Sequence, residues 1–196
     1  MDKKIILASK SKVRKEILDR NNITSTVEPS NIDENIIKSS LLNEKASPEI
    51  ISKNLAEIKS IRVSSKHPDR IVIGADSVIS LNEELINKPN SREEAFAILK
   101  KLNNHKHYLI SSVCISKNGA MIWNHTDSSE LKMKNLTDNE LSKYLSKIET
   151  KTLLDYGVYQ IEAGGLELFE HVKGDKNSIM GLPVKEISNY IRQLKI

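Results

Sequence analysis

The sequence predicts an α/β fold with a mixed sheet, arranged as two lobes around a cleft. Over the first half of the chain, short apolar runs alternate with segments of helical period, the order typical of α/β proteins. A meander of strand-like segments then follows from His107 to Lys134 and adds antiparallel strands. No internal repeat and no low-complexity linker divides the 196 residues, so we expect a single domain over residues 1–196.

The first segments predict a buried strand, a helix and a second strand. Residues 5–8 are continuously apolar, which favours a short buried strand. Ser9 or Ser11 can cap the helix that follows, because a serine side chain accepts a hydrogen bond from the first helical turn. The apolar side of this helix consists of Val13, Ile17 and Leu18. The second strand covers residues 23–27.

A polar loop and a long helix come next. The loop contains the acidic pair Asp33 and Glu34. The helix begins at Ser47-Pro48-Glu49, where the serine is a cap, the proline suits the first turn and the glutamate stabilises the positive end of the helix dipole. Its apolar period continues to about His67.

The next strand carries a charge where an apolar residue is expected. Within residues 70–81 the apolar run stops at Gly74 and then includes Asp76. A strand buried on both faces is continuously apolar, and an unpaired carboxylate there costs several kcal/mol in lost solvation. Gly74 lets a backbone or a ligand approach closely. Asp76 is therefore a candidate for holding a metal, a cation or a reacting water; the alternative is a structural acid paired with a buried lysine or arginine.

The second half predicts a helix followed by three strands. A loop at Asn87-Lys88-Pro89 leads to a helix with a capping box from Ser91 to Glu94. Residues 107–116 have the pattern of a strand, and Asn118-Gly119 is a good hairpin turn into a strand at 120–123. A third strand is expected at residues 128–134.

The remaining segments predict two more helices. A capping box from Thr137 to Glu140 begins a helix that continues to Ile148. The tail alternates glycine-rich turns with short apolar runs, and an amphipathic helix follows Pro183.

Composition excludes several classes of function. The chain has 30 basic and 26 acidic residues and a net charge of +4, which permits an anionic ligand, but no dense basic run with interleaved aromatics favours nucleic acid. Cys114 is the only cysteine, so there is no disulfide framework or CxxC metal site, and we interpret it as a core residue. No apolar span is long enough for a membrane helix, and the apolar stretch near the start is too short for a signal peptide. We therefore expect a cytoplasmic protein.

The segment LASKSKVRK has the properties of an anion site. A strand end, small hydroxyl residues and a helix N-terminus present backbone N–H groups to a phosphate, and Arg14 adds a guanidinium that suits phosphate geometry. The alternative is a capped surface helix with solvated cations. Neither GxxxxGK[ST] nor GxGxxG occurs in this segment, so a P-loop or a Rossmann fingerprint is excluded there.

Other polar residues have ordinary interpretations when each is considered alone. Lys59 and Lys88 can be an exposed helix lysine and a loop lysine, and Asp33 and Glu34 can be solvated acids. The histidines do not show a metal-binding spacing. Ser77 lacks the GxSxG context of a serine hydrolase.

A set of short motifs occurs in one order along nearly the whole chain. They are ILASKSKVRKEIL, Asn31-Ile32-Asp33-Glu34, Leu55-Ala56 before Lys59, VIGADSV, the NKP turn, EEAFAILKKLNNHKH, YGVYQIEAGG, GD and GLP. In this order they resemble the Maf family of nucleoside triphosphate pyrophosphatases. The resemblance implies a two-lobed, twisted mixed sheet flanked by helices, related to the inosine triphosphatase-like pyrophosphatases, with the nucleotide in the central cleft. It also implies hydrolysis of a nucleoside triphosphate to the monophosphate and pyrophosphate with Mg²⁺ or Mn²⁺, which clears non-standard or excess nucleotides, and it suggests a homodimer.

The resemblance further implies roles for individual residues. Asp76 corresponds to the catalytic acid, as a proton acceptor for water or as a metal-linked carboxylate, and Glu34 to a second metal-side acid. The residues that correspond to phosphate-binding positions are Ser9, Arg14, Lys59 and Lys88. Those that correspond to positions of base selection are Val13, Ser77 and Gln160.

The chain departs from the family pattern beside these residues. Lys12 and Val13 stand where the family has proline and then arginine or a bulky aromatic, and Ser77 stands in place of the usual threonine. These changes leave the preferred base open. A second hypothesis is a nucleotide-binding regulator of cell division that uses the same cleft without turnover.

Overall fold

The structure is a computed structural model that describes residues 5–161 and 164–194. It is a mixed α/β fold in which helices flank a central sheet. The strands are β1 (Ile5–Leu7), β2 (Ser25–Val27), β3 (Val72–Leu81), β4 (Glu84–Ile86), β5 (Lys106–Lys117), β6 (Ala120–Met133) and β7 (Phe169–Lys173). The helices are α1 (Lys12–Arg20), α2 (Glu34–Asn43), α3 (Pro48–Ser64), α4 (Arg92–Leu102), α5 (Asp138–Ser146), α6 (Thr150–Tyr156), α7 (Lys176–Ile179) and α8 (Val184–Gln193).

The predicted mixed sheet is confirmed. Within the described residues, its seven strands follow the order β2-β1-β3-β5-β6-β7, with β4 paired to β3 off this path. β1 is parallel to both β2 and β3, whereas β5, β6 and β7 continue the sheet as an antiparallel meander. The long strand β3 therefore joins the parallel part of the sheet to the antiparallel part.

Two large apolar cores lie along β3 and β5 in the described part of the chain, and a small third cluster joins β1, β3 and α3. The first core joins α1 and α8 to one half of these strands, through residues such as Ile73 and Val113. The second core joins α4, α5 and α6 to the other half, with Leu81 and Leu131 among its members. This arrangement agrees with the predicted two lobes around a cleft.

Helix α3 packs very closely on β3, and Gly74 makes this possible. A Cβ atom placed on Gly74 would lie 2.2 Å from the carbonyl oxygen of Ala56 and 2.6 Å from the backbone nitrogen of Ser60. The close approach predicted at this glycine is thus an approach of helix backbone.

The sequence prediction was wrong about the segment around Asp33 and Glu34, which is not a loop. Asp33 is the N-cap of α2, where its side chain accepts hydrogen bonds from the backbone of Asn35 and Ile36, and Glu34 is the first helical residue. None of the residues of α2 is buried, and its apolar residues are two adjacent pairs, Ile36-Ile37 and Leu41-Leu42, which give only a weak helical pattern.

The other differences concern the meander and short elements. Residues 120–133 form one continuous strand where two were predicted, since β6 pairs with β5 along its whole length with one irregularity. Strands β4 and β7 and helices α6 and α7 were not predicted; each is seven residues or shorter, which is too short for a clear periodic pattern.

Several predicted ends are confirmed by their hydrogen bonds. Thr137 and Glu140 form the complete capping box of α5. Ser91 caps α4 as predicted, but the predicted capping box is not complete, because the carboxylate of Glu94 accepts the N–H of Asn90 and not that of Ser91. Asn118 and Gly119 both have positive φ, as a tight hairpin turn requires. No helix in residues 5–161 or 164–194 combines the length and apolarity needed to span a bilayer.

Candidate active site

Asp76 lies in the middle of β3 on the face that α3 covers, and it is 5% exposed. Its Oδ1 atom accepts a hydrogen bond from Nζ of Lys59 at 2.7 Å. This oxygen therefore has the lysine partner that the interpretation of Asp76 as a structural acid predicts. Its Oδ2 atom is also buried, and no hydrogen-bond partner reaches it from the described residues. A buried carboxylate oxygen without a partner is rare in folded proteins, so this oxygen is available to a ligand.

Lys59 joins two carboxylates from different elements. Its ammonium contacts Oε1 of Glu34, the first residue of α2, at 2.8 Å as well as Asp76. Burial alone would raise the pKa of Glu34, but the charge and the hydrogen bond of Lys59 outweigh it and the pKa lies below its ordinary value. Glu34 is therefore ionised at neutral pH, and both acids face the same cation.

Most N–H donors of the Arg14 guanidinium are hydrogen-bonded to protein atoms. Its Nε donates to the carbonyl oxygen of Gly181 at 2.8 Å, and Nη1 donates to the carbonyl oxygen of Ala75 at 2.9 Å and to Oγ of Ser9 at 3.2 Å. Its Nη2 donates to Oγ of Ser77 at 3.1 Å. One N–H of Nη2 has no acceptor among the described residues, so Arg14 can offer one direct hydrogen bond, besides its charge, to an anion in the cleft.

Lys88 lies on the loop after β4, where its Nζ donates to the carbonyl oxygen of Asp155 at 2.7 Å. Burial lowers the pKa of Lys88, and the nearby Arg14 lowers it further, against the opposing effect of Glu34 and Asp76. Because Arg14, Glu34 and Asp76 all influence this pKa, the ammonium group of Lys88 lies in the same charged region of the cleft. The other N–H donors of Lys88 have no acceptor among the described residues, so they can donate to a ligand.

The predicted base-selecting residues also lie along the cleft. Oγ of Ser77 is 2.9 Å from Oγ of Ser111, its partner in register on β5. Val13 lines the cleft at α1, and Gln160 lines it after α6. The Nε2 atom of Gln160 is buried and has no hydrogen-bond partner in the described part of the chain.

The cleft brings together all nine predicted site residues in a volume of about 480 Å³. One part of it is charged and is formed by Arg14, Glu34, Lys59, Asp76 and Lys88. The other end is aliphatic; side chains that line it are Ile79, Ile98, Leu109, Ile161 and Ile179. Such a division suits a ligand with a charged and a weakly polar end.

The donor set fits a divalent cation that the substrate helps to hold. Mg²⁺ is usually bound through one or two carboxylates together with substrate phosphates and waters. Asp76 and Glu34 supply two carboxylates, and the unpartnered Oδ2 of Asp76 is a free ligand atom. The described residues contain no group of three or more histidine, cysteine or acidic side chains that could hold a metal ion.

Sequence reasoning missed three parts of this site. Ser111 could have been found from its pairing opposite Ser77 once β3 and β5 were aligned. The carbonyl oxygens of Gly181 and Asp155, which accept from Arg14 and Lys88, give no side-chain signal in a sequence.

Known proteins resemble the chain over nearly its whole length. A family model described as "Maf-like protein" matches residues 4–194. A nucleoside triphosphate pyrophosphatase of Pelagibacter ubique is 58% identical over 195 residues, which cover 100% of both chains. A 7-methyl-GTP pyrophosphatase of Brucella abortus biovar 1 is 34% identical over 195 residues, with 100% of this chain and 98% of the relative covered. The crystal structure of a nucleoside-triphosphatase (dITP/XTP pyrophosphatase) from Mycobacterium abscessus is 12% identical and gives a TM-score of 0.44, with 96% of this chain and 93% of that chain covered.

Proposed function

Because the chain belongs to the Maf family, we propose that it hydrolyses a nucleoside triphosphate to the nucleoside monophosphate and pyrophosphate. The membership predicted from the short motifs is confirmed. The names of the relatives described above support the reaction, since both are pyrophosphatases of nucleotides. The observation on this chain that carries the proposal is the buried Oδ2 of Asp76, which has no partner among the described residues and lies in a cleft lined by cations.

In the proposed reaction, Asp76 activates water. A water oxygen forms a bond to the α-phosphorus, and the bond from this phosphorus to the oxygen that bridges to the β-phosphorus breaks. The proton of the water passes to Oδ2 of Asp76, and pyrophosphate leaves with the bridging oxygen and its electron pair. Lys59 remains hydrogen-bonded to Oδ1, which keeps the carboxylate oriented with its free oxygen towards the water.

The cations of the cleft stabilise the charge that develops on the phosphate oxygens. Lys59 and Lys88 carry ammonium groups on separate elements, and Arg14 adds a guanidinium whose position is fixed by its protein acceptors. Groups that are already oriented in a partly dry site stabilise a transition state more than the same groups would in water. Ser9 is a weaker phosphate ligand, and its Oγ also accepts from Arg14.

Divalent metal dependence is part of the proposal. Glu34 would hold Mg²⁺ or Mn²⁺ together with the substrate phosphates, and Asp76 would join it as a ligand only in the alternative in which its Oδ2 does not accept the proton; the ion would supply charge neutralisation of the phosphate oxygens. The aliphatic end of the cleft would receive the base, and Val13, Ser77 and Gln160, which line the cleft, would influence which base is accepted. Cytoplasmic location and a homodimer remain predictions.

The reaction is tested by a screen for pyrophosphate release. The purified protein is incubated with standard, methylated and deaminated nucleoside triphosphates in Mg²⁺ or Mn²⁺. We expect pyrophosphate and a monophosphate from at least one of them. Release of orthophosphate alone, or no release, would show that the reaction class is wrong.

The role of Asp76 is tested with Asp76→Asn, which keeps the shape of the side chain. We expect turnover to fall by about 100-fold or more, because the amide accepts no proton from water. Nucleotide affinity should be retained, which separates an enzyme from a binding regulator. The matched control is Asp138→Asn, which removes an exposed carboxylate that pairs with Lys100 at 2.9 Å and should leave turnover unchanged.

A further inference from the structure

One buried histidine lies outside the charged end of the cleft. Along β5 the side chains of His107, Leu109 and Ser111 share one face, since alternate residues of a strand point the same way. Leu109 lines the cleft and Ser111 bonds to Ser77. His107 is 0% exposed and has no part in the proposed reaction.

Residues 157–161, which follow α6, form another wall of the cleft. Gly157 ends α6 with a positive φ of 100°, and residues 157–160 belong to neither a helix nor a strand. Val158, Tyr159 and Ile161 are nonetheless buried, and residues 157–161 all line the cleft. A backbone hydrogen bond from the N–H of Gly165 to the carbonyl oxygen of Gln160 at 2.8 Å ties this wall to the residues that follow it, and side-chain contacts join it to the sheet.

Tyr159 makes the polar part of that contact with His107. Its hydroxyl is 3.0 Å from Nε2 of His107, and its ring meets Phe169 edge-on at 5.0 Å between centroids. Among the described residues, no other side-chain hydrogen bond joins residues 157–161 to the sheet. Burial lowers the pKa of His107 to about 4, so the ring is neutral near pH 7 and the contact is a hydrogen bond between neutral groups.

We propose that His107 and Tyr159 are positioning residues, whose hydrogen bond fixes the cleft wall of residues 157–161 and thereby sets the affinity for the nucleotide. This inference rests on the proposed pyrophosphatase function. Asp76 and Lys59 lie on β3 and α3, and neither contacts this wall through a hydrogen bond or an ion pair. Lys88, which is also assigned to the chemical step, bonds to Asp155 of α6, two residues before the wall, and not to the wall itself. The proposal therefore assigns the wall to substrate binding.

The test is a comparison of KM and kcat for pyrophosphate release. Tyr159→Phe removes only the hydroxyl, and we expect it to raise KM about tenfold while kcat stays within about twofold of the wild type. His107→Leu should have a similar effect. The double variant should be no worse than the more affected single variant, because both changes remove one interaction.

The matched control is Tyr190→Phe, which removes a hydroxyl that donates to the carbonyl oxygen of Ile122 at 3.2 Å, away from the cleft. It should leave KM unchanged. A purely structural role for Tyr159 would lower the folded fraction and hence the apparent kcat without raising KM. An unchanged KM in Tyr159→Phe, or a fall in kcat alone, would overturn the proposal.

A second measurement keeps this inference separate from the proposed function. If the wild-type protein releases no pyrophosphate, the proposed reaction is wrong, and the affinities for the α,β-methylene analogues of GTP and dTTP are then measured. A weaker Kd in Tyr159→Phe than in the wild type for either analogue would support the positioning role. An equal Kd, or no binding of either analogue to the wild type, would overturn it.

Discussion

Replacing Gly74 by alanine tests whether the close packing of α3 on β3 sets the geometry of the site. The new Cβ would lie 2.2 Å from the carbonyl oxygen of Ala56, whereas ordinary van der Waals contact begins at 3.4 Å. Both atoms that it meets first belong to the backbone of α3, so no side-chain rotation relieves the clash. The helix must move away from the strand by about 1 Å.

Two measurable effects follow from this displacement. Overpacking of this kind lowers the free energy of unfolding by about 1–3 kcal/mol. Lys59 moves with α3, so its 2.7 Å contact with Asp76 lengthens and the carboxylate loses its orientation. A displacement of about 1 Å in a catalytic group can lower turnover by about 100-fold, so we expect Gly74→Ala to reduce kcat by about 10- to 100-fold.

The assay combines urea unfolding with pyrophosphate release at a temperature where the variant is folded. The control is Leu102→Ala, which removes a fully buried side chain of the second core. It should lower the free energy of unfolding by about 2–5 kcal/mol and leave kcat near that of the wild type. If Gly74→Ala retains wild-type kcat while it unfolds at a lower urea concentration, the proposed link between helix packing and Asp76 is wrong.

Two further predictions concern protons and metal. Because the pKa of His107 is about 4 in the folded protein and about 6.5 in an unfolded chain, the unfolded state binds a proton more readily between these values. Stability should therefore fall as the pH is lowered, by about 2 kcal/mol between pH 7 and pH 5, and His107→Gln should flatten this dependence in denaturant titrations; equal slopes would contradict the burial argument. Removal of divalent cations with EDTA should abolish pyrophosphate release and leave thermal unfolding nearly unchanged, since at most two carboxylates of the described residues would hold the proposed ion. Glu34→Gln should raise the Mg²⁺ concentration needed for half-maximal activity, and full activity in EDTA would refute metal dependence.

The sequence revealed Asp76 and Gly74 because each breaks a local rule. A charge in an apolar run and a glycine within a strand are both anomalies that can be recognised from neighbouring residues alone. The structure gives both a physical reason: the glycine admits α3, and α3 brings Lys59 to the carboxylate.

Other parts of the site depend on contacts that a sequence pattern does not contain. The bond from Arg14 to Gly181 joins residues 167 positions apart and ends on a backbone carbonyl. Helix α2 was not predicted because its apolar residues give only a weak helical pattern, although its first residue, Glu34, contacts Lys59. The hydroxyl of Tyr159 meets His107 only after β5 and the segment that follows α6 have been brought together.

Strands β3 and β5 run without a break from the first large apolar core to the second. Ile73 and Ala75 lie in the first core and Leu81 lies in the second, while the hydrogen-bonded ladder between β3 and β5 runs without interruption from Val72 to Ser80. Opening the cleft like a hinge would bend this ladder at Ser77 and Ser111, where both strands are paired. We therefore expect the width of the cleft to be fixed by the twist of the sheet, and adjustment to different nucleotides to occur in the loops along its rim.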